Sequence, residues 1–156
     1  NTNYICLMPC NLFGPKDNYD LKNSHFLPAL IKKIYLASLK KRNKVANLWG
    51  TGKPLREVLY VDDVAKACEF FLRKKIKKSL INIGSPIEMT IKDYANYIKN
   101  KIDPNVLVKF NNNKKLDGVM RKKLNISLAY RYGWRSKMNF SKVLDEIIED
   151  FKISYK

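Results

Sequence analysis

Tyr4-Ile5-Cys6-Leu7-Met8-Pro9, running straight into Cys10-Asn11-Leu12-Phe13-Gly14-Pro15, decides the fold. Residues 4–8 are apolar without a polar alternation and are stopped by Pro9, the pattern of a strand buried on both faces. Residues 9–20 then bring Pro, Asn, Gly and Asp in quick succession, a density of turn chemistry that predicts a long ordered loop. In an open α/β sheet ligands lie beyond the carboxyl ends of the strands, so this loop occupies the position of a site.

Outward from that strand the period changes. Leu27, Leu30, Ile31, Ile34, Tyr35 and Ser38 share one face at helical spacing, predicting an amphipathic helix from Ser24 to near Arg42. Residues 45–49 and 55–60 read as two strands joined as a hairpin through Gly50-Thr51-Gly52, whose glycines supply positive φ. Asp62 and Asp63 open a second helix with an inner stripe of Val61, Val64, Ala65, Cys68, Phe71 and Leu72. Residues 80–83 form a short buried strand closed by Gly84. Thr90 and Asp93 resemble a capping box ahead of Ile91, Tyr94, Ala95, Ile98 and Ile102. Residues 106–110 predict a strand, and Phe140, Val143, Leu144, Ile147, Ile148 and Phe151 trace one face of a last helix. Strands mixed with helices and no internal repeat give an α/β or α+β layer architecture.

The 156 residues carry 31 Lys plus Arg against 14 Asp plus Glu, a formal charge of +17. With 46% hydrophobic residues the chain is no disordered basic tail. Twenty-five of the basic residues are Lys and six are Arg. Readers of phosphates and base edges lean on the planar fork of Arg, so scattered Lys counts against nucleic acid as a partner. The clusters at Lys40 to Arg42 and Arg73 to Lys78 fall at expected helix ends, where cations complement the helix dipole. No apolar run approaches the roughly 18–20 residues of a membrane span, so no membrane partner is expected. Three cysteines without a C-x-x-C pair argue against a disulfide framework and for a reducing, cytoplasmic setting. One histidine, His25, leaves a zinc site short of ligands, and no metal is expected. The chain opens on Asn1 with no charged leader, which reads as a start within something longer.

Two clusters exceed what packing requires: residues 9–15 with Asn23-Ser24-His25, and residues 49–57. With them the order P-x-N-L-x-G-P, N-S-H-x-x-P-A-L, W-G-x-G-x-x-x-R-E, V-D-D, I-N-I-G and D-G-x-x-R-K-x-L resembles the GDP-L-fucose synthases, a family of extended short-chain dehydrogenases. The likeness spans nearly the whole chain but only the family's second half. It implies the last strands and helix of a Rossmann-type parallel sheet, residues 1–9 and 61–83, plus a small α+β nucleotide-sugar domain, residues 10–60 and 84–156. It also implies that the Gly-rich cofactor turn and the helix with the catalytic Tyr and Lys lie outside these residues. No catalytic residue is expected here, and the isolated chain should be weakly stable and inert.

The resemblance assigns Pro9, Cys10, Asn11, Leu12 and His25 to NADP(H), with Cys10 where the family more often has Thr. It assigns Lys33, Trp49, Arg56, Asp117 and Arg121, with Lys122 beside it, to the GDP-sugar; Lys33 replaces a more usual Arg, and Asn125 a common acid. From the residues alone, Trp49 reads equally as core, and His25 as a helix N-terminal residue satisfied by backbone. Tyr97-x-x-x-Lys101 fits the catalytic pair's spacing but lies off the apolar face of its helix, so it reads as solvated surface. The implied reaction is epimerisation at two centres and reduction of GDP-4-keto-6-deoxy-mannose, in full-length homodimers whose contacts come from the other half. The alternatives are a sister enzyme acting on another GDP-keto-sugar, such as a heptose, and a basic nucleic-acid module.

Overall fold

In a computed structural model, residues 4–78 and 80–155 are described. Asn1 to Asn3, with which the expected cofactor-domain segment begins, Ser79 and Lys156 lie outside them. The elements are β1 (Cys6–Pro9), β2 (Asn11–Phe13), α1 (Phe26–Ser38), β3 (Val45–Leu48), β4 (Leu55–Tyr60), α2 (Val61–Leu72), β5 (Leu80–Ile83), β6 (Glu88–Thr90), α3 (Ile91–Ile102), β7 (Leu107–Phe110), β8 (Arg121–Lys122), α4 (Ser127–Arg131) and α5 (Phe140–Ser154). The class is α/β, as expected. β1 runs parallel to β5, β3 to β7, and β4 to both β2 and β8, while β6 pairs antiparallel with β4.

The helices follow their apolar spacing. α3 starts where Thr90 accepts from the Asp93 N–H at 3.0 Å, and it buries Tyr94, Ala95 and Ile98. α5 is capped by Asn139, which accepts from the Lys142 N–H at 3.2 Å, and it buries Leu144, Ile147, Ile148 and Phe151. Both lean on α1, whose Leu27, Leu30, Ile31 and Ile34 complete one core cluster together with Ala46, Leu48 and Val58. A second cluster gathers Leu59, Ala67, Phe71, Ile76, Ile81, Ile83, Ala129 and Trp134.

Five expectations need correction. First, residues 45–49 and 55–60 make no hairpin: β3 pairs with β7 and β4 with other strands. Gly50 and Gly52 do take positive φ, +74° and +75°, but they divert the chain between two sheets. Second, β1 is not buried on both faces. Cys6 and Met8 are exposed because no layer covers that face among the described residues, while Ile5 and Leu7 pack on the second cluster. Third, the loop after Pro9 contains β2, drawn into register with Val58 to Tyr60 of β4. Fourth, the inner stripe of α2 is rotated. Asp63, Ala67 and Phe71 are buried, whereas Ala65 and Cys68 are exposed and Leu72 is 85% exposed. Asp63 belongs inside because its carboxylate accepts from the Ser136 hydroxyl at 2.6 Å and from the Lys137 and Met138 N–H groups at 2.9 and 3.0 Å. Fifth, α1 ends at Ser38 and α2 at Leu72, so Lys40 to Arg42 and Arg73 to Lys78 lie just past the last turns. Among the described residues no helix is long and apolar enough to cross a membrane.

Candidate functional site

His25, the third residue of the N-S-H motif, and Trp49, the first of W-G-x-G, line two different pockets beside α1. In the first, α1, the end of β3 and the start of β4 border a cavity of about 180 Å³. Lys33, Trp49, Arg56 and Asp117 all line it, with Phe26, Pro54 and Leu116 among the apolar walls. Four of the five expected sugar-nucleotide residues are thus brought together from positions far apart in the chain.

Trp49 is 62% exposed, which decides against a core role. The Lys33 ammonium stands 3.9 Å from the centroid of its ring, a cation–π contact that leaves the other ring face open. Burial holds the Lys33 ammonium below its ordinary pKa. Arg56 donates from Nη1 to the Leu55 and Val119 carbonyls at 2.8 and 2.7 Å, and from Nη2 to the Asp117 carbonyl at 3.1 Å. The Asp117 carboxylate accepts from the Thr51 N–H and the Thr51 hydroxyl, each at 2.7 Å. Those two bonds, the backbone one first, hold its pKa below the usual carboxylate range. A ring face, a guanidinium, an ammonium and a carboxylate around one cleft can stack a base, grip phosphates and accept from hydroxyl donors.

Arg121 is not part of this cavity. Its Nε and Nη2 fork onto Glu88 at 3.0 and 2.8 Å, with Lys123 3.5 Å from the same carboxylate. Lys122 lies on β8, exposed. Asn125 makes no ion pair; its side chain accepts from the Ser127 N–H at 3.0 Å at the start of α4.

A second pocket, of about 210 Å³, joins Leu12, Phe13, Gly14 and Pro15 to His25, Asp17 and Val61. His25 is the N-cap residue of α1, its carbonyl taken by the Ala29 N–H at 3.1 Å and its side chain making no cap bond. The preceding Ser24 has a buried hydroxyl with no partner among the described residues. Pro9 ends β1, and the Cys10 N–H donates to the Ile83 carbonyl at 3.2 Å. The Asn11 side chain donates to the Glu57 carbonyl at 2.8 Å, so it fastens β2 to β4. Cys10 is half-buried, and desolvation with the nearby Glu57 carboxylate pushes its thiol up to about 12. It stays neutral at physiological pH and is no nucleophile.

Sequence reasoning missed Thr51 and Glu57. Glu57 is fully buried and accepts from the Ser85 and Leu124 N–H groups at 2.8 and 3.0 Å, tying β4 to two distant loops. An acid in an apolar strand was a visible signal; Thr51 carried none. Tyr97 is not solvated surface: it packs on Phe140 and donates to Asp145 Oδ1 at 3.1 Å, while Lys101 reaches Asp145 Oδ2 at 2.7 Å. The pair belongs to the α3–α5 contact, because α5 supplies the carboxylate that satisfies both groups.

Residues 1–84 match the NAD dependent epimerase/dehydratase family. A probable GDP-L-fucose synthase 1 of Oryza sativa subsp. japonica is 38% identical over 142 residues, which are 91% of this chain and 43% of the relative. The solved structure of a GDP-L-fucose synthetase from Naegleria fowleri bound to NADP superposes with a TM-score of 0.85 at 27% identity, covering 97% of this chain and 47% of that one. A GDP-mannoheptose C4 reductase from Campylobacter jejuni with NADP bound gives 0.80 at 26%, covering 97% and 53%. The chain spans about half the length of the relatives it matches.

Proposed function

The chain belongs to the NAD dependent epimerase/dehydratase family, and from that premise we propose that it is the GDP-sugar-binding half of an NADP-dependent GDP-4-keto-6-deoxy-mannose 3,5-epimerase/4-reductase, a GDP-L-fucose synthase. The observation that carries the reading is the cavity shared by Lys33, Trp49, Arg56 and Asp117. Trp49 offers a flat face to the base or sugar, Arg56 and Lys33 meet the pyrophosphate, and Asp117 accepts from ribose or guanine. Each Asp117 oxygen keeps a second lone pair after serving Thr51, so the carboxylate can still receive a ligand donor. Arg121, committed to Glu88, would act on phosphate only at the rim.

The cofactor side is consistent with the nicotinamide end of NADP(H). The pocket beside His25 has apolar walls at Leu12, Phe13 and Val61 and polar side chains at His25 and Asp17. Leu12 would pack on the ring and His25 would donate or accept at its edge, while Pro9, Cys10 and Asn11 shape the backbone that carries Leu12. When bound, NADPH supplies the hydride that reduces the ketone. No group in this chain is assigned the proton transfers.

The division proposed is a cofactor-side unit, residues 1–9 and 61–83, and a substrate-side unit, residues 10–60 and 84–156; the first core cluster lies wholly within the second unit, while the second cluster joins Ala67, Phe71, Ile76, Ile81 and Ile83 to Leu59, Ala129 and Trp134 across the boundary. Free thiols at Cys6, Cys10 and Cys68 support a reducing, cytoplasmic setting. Titration of GDP into the purified chain tests the binding half: saturable binding is expected, and its absence overturns the reading. The chain alone should not oxidise NADPH with the keto-sugar; measurable turnover would show catalytic groups that this account leaves out. A heptose-acting relative would use the same GDP contacts, so comparing turnover of the two GDP-keto-sugars by an enzyme carrying this half separates the sugars.

A further inference from the structure

We propose that Thr51 and Asp117 are a positioning pair that presents one chosen edge of the Arg56 guanidinium to the ligand's pyrophosphate. The proposal rests on the GDP-binding reading and assigns Thr51 a part in it. A guanidinium has five N–H groups. In Arg56 three are spent on carbonyls: both of Nη1, on Leu55 and Val119, and one of Nη2, on Asp117. Among the described residues Nε has no acceptor, so Nε–H and the second Nη2 N–H remain as the donors that two phosphate oxygens can take. The carbonyls therefore hold one end of the group and leave the side edge for an anion.

That hold depends on residues 111–120, a strap that is exposed except for half-buried Asp117 and so draws little from burial. Its far end is tied down at β8, by pairing with Leu55 and Arg56 and by the Arg121–Glu88 fork. Its near end is tied at Gly50 and Thr51. The Gly50 N–H donates to Asn111 Oδ1 at 2.9 Å, the Asn112 N–H to the Gly50 carbonyl at 3.0 Å, and Asp117 takes both the N–H and the hydroxyl of Thr51. The Thr51 oxygen also accepts from the Lys53 N–H at 3.2 Å, so one hydroxyl joins the turn to the strap. Gly50 makes the approach possible: a Cβ there would overlap Asp117 Oδ1. Asp117 thus acts on Arg56 through its main chain, while its side chain is the anchor.

GDP and guanosine binding to the 156-residue chain, with exchange of the Arg56 Nη protons followed by NMR without nucleotide, tests the pair. Thr51→Val should weaken GDP by about tenfold, the worth of one hydrogen bond to a charged group, and guanosine, which depends on Asp117 but not on the Arg56 edge, by clearly less; Thr51→Ser, which keeps the hydroxyl, should restore GDP affinity. The Nη protons should exchange slowly in the wild type and fast in Thr51→Val. Wild-type GDP affinity in Thr51→Val, equal losses of GDP and guanosine, or unchanged Nη exchange would each overturn the proposal. If the wild type binds neither ligand, the nucleotide reading falls and takes the pyrophosphate edge with it, while the Nη exchange still decides whether Thr51 orders Arg56.

Discussion

The Lys33 ammonium sits over the Trp49 ring at 3.9 Å from its centroid, on the wall of the cavity that also holds Arg56. The ring favours the charged form, yet burial outweighs it and lowers the pKa from 10.5. Between that lowered value and 10.5 the native state binds fewer protons than the unfolded chain, so native stability rises with pH through the window. Lys33→Met has no such titration. Urea midpoints measured from pH 7 to 10.5 should therefore shift in the wild type's favour relative to Lys33→Met; a constant gap would contradict the burial of this ammonium.

Trp49 also furnishes an optical probe. The other tryptophan, Trp134, is buried in the second core cluster. GDP should quench the exposed indole, and Trp49→Phe should remove the ligand response while leaving the Trp134 signal. A response that survives in Trp49→Phe would move the base away from this ring.

Glu57 predicts a large stability effect. Removing its carboxylate strands the Ser85 and Leu124 N–H groups, at about 1–3 kcal/mol each. Glu57→Ala should lower the urea midpoint most, and Glu57→Gln, which keeps one acceptor oxygen, should fall between it and the wild type. A Glu57→Ala midpoint equal to the wild type's would mean that the two loops are held by something else.

How much of this was legible in the sequence follows from the range of each interaction. α3 and α5 were readable because cap and apolar period are local, as Thr90 with Asp93 shows. Strand pairing was not: β3 finds β7 some sixty residues on, and β2, β6 and β8 are too short to show a period. The stripe of α2 was misplaced because Asp63 looked polar and therefore outward, whereas three donors from residues 136–138 make it an inside residue. Lys33, Trp49, Arg56 and Asp117 were nameable through motif resemblance, and geometry then joined them. Thr51 was invisible, since its partner lies sixty-six positions away in a segment without pattern.

Tyr97 and Lys101 have the spacing of a catalytic pair but share Asp145 on α5. Tyr97→Phe should therefore cost about 0.5–1.5 kcal/mol of stability, the worth of one hydrogen bond, and leave GDP affinity unchanged. A loss of GDP affinity with no loss of stability would give Tyr97 a role at the site that its geometry denies.

The three thiols should differ sharply in reactivity. Cys6 and Cys68 are exposed, whereas desolvation and the Glu57 carboxylate raise Cys10 to about 12 from 9.0. Three pH units remove on the order of a thousandfold of the thiolate, which is the species that reacts. At pH 8, iodoacetamide followed by peptide mapping should label Cys6 and Cys68 well before Cys10. Replacing Glu57 by Gln removes the charge but not the burial, and burial is the larger cause, so Cys10 should remain the slowest of the three in that variant as well. Rapid labelling of Cys10 in the folded wild type would mean that the β1–β2 junction opens to solvent, and with it the wall that carries Leu12.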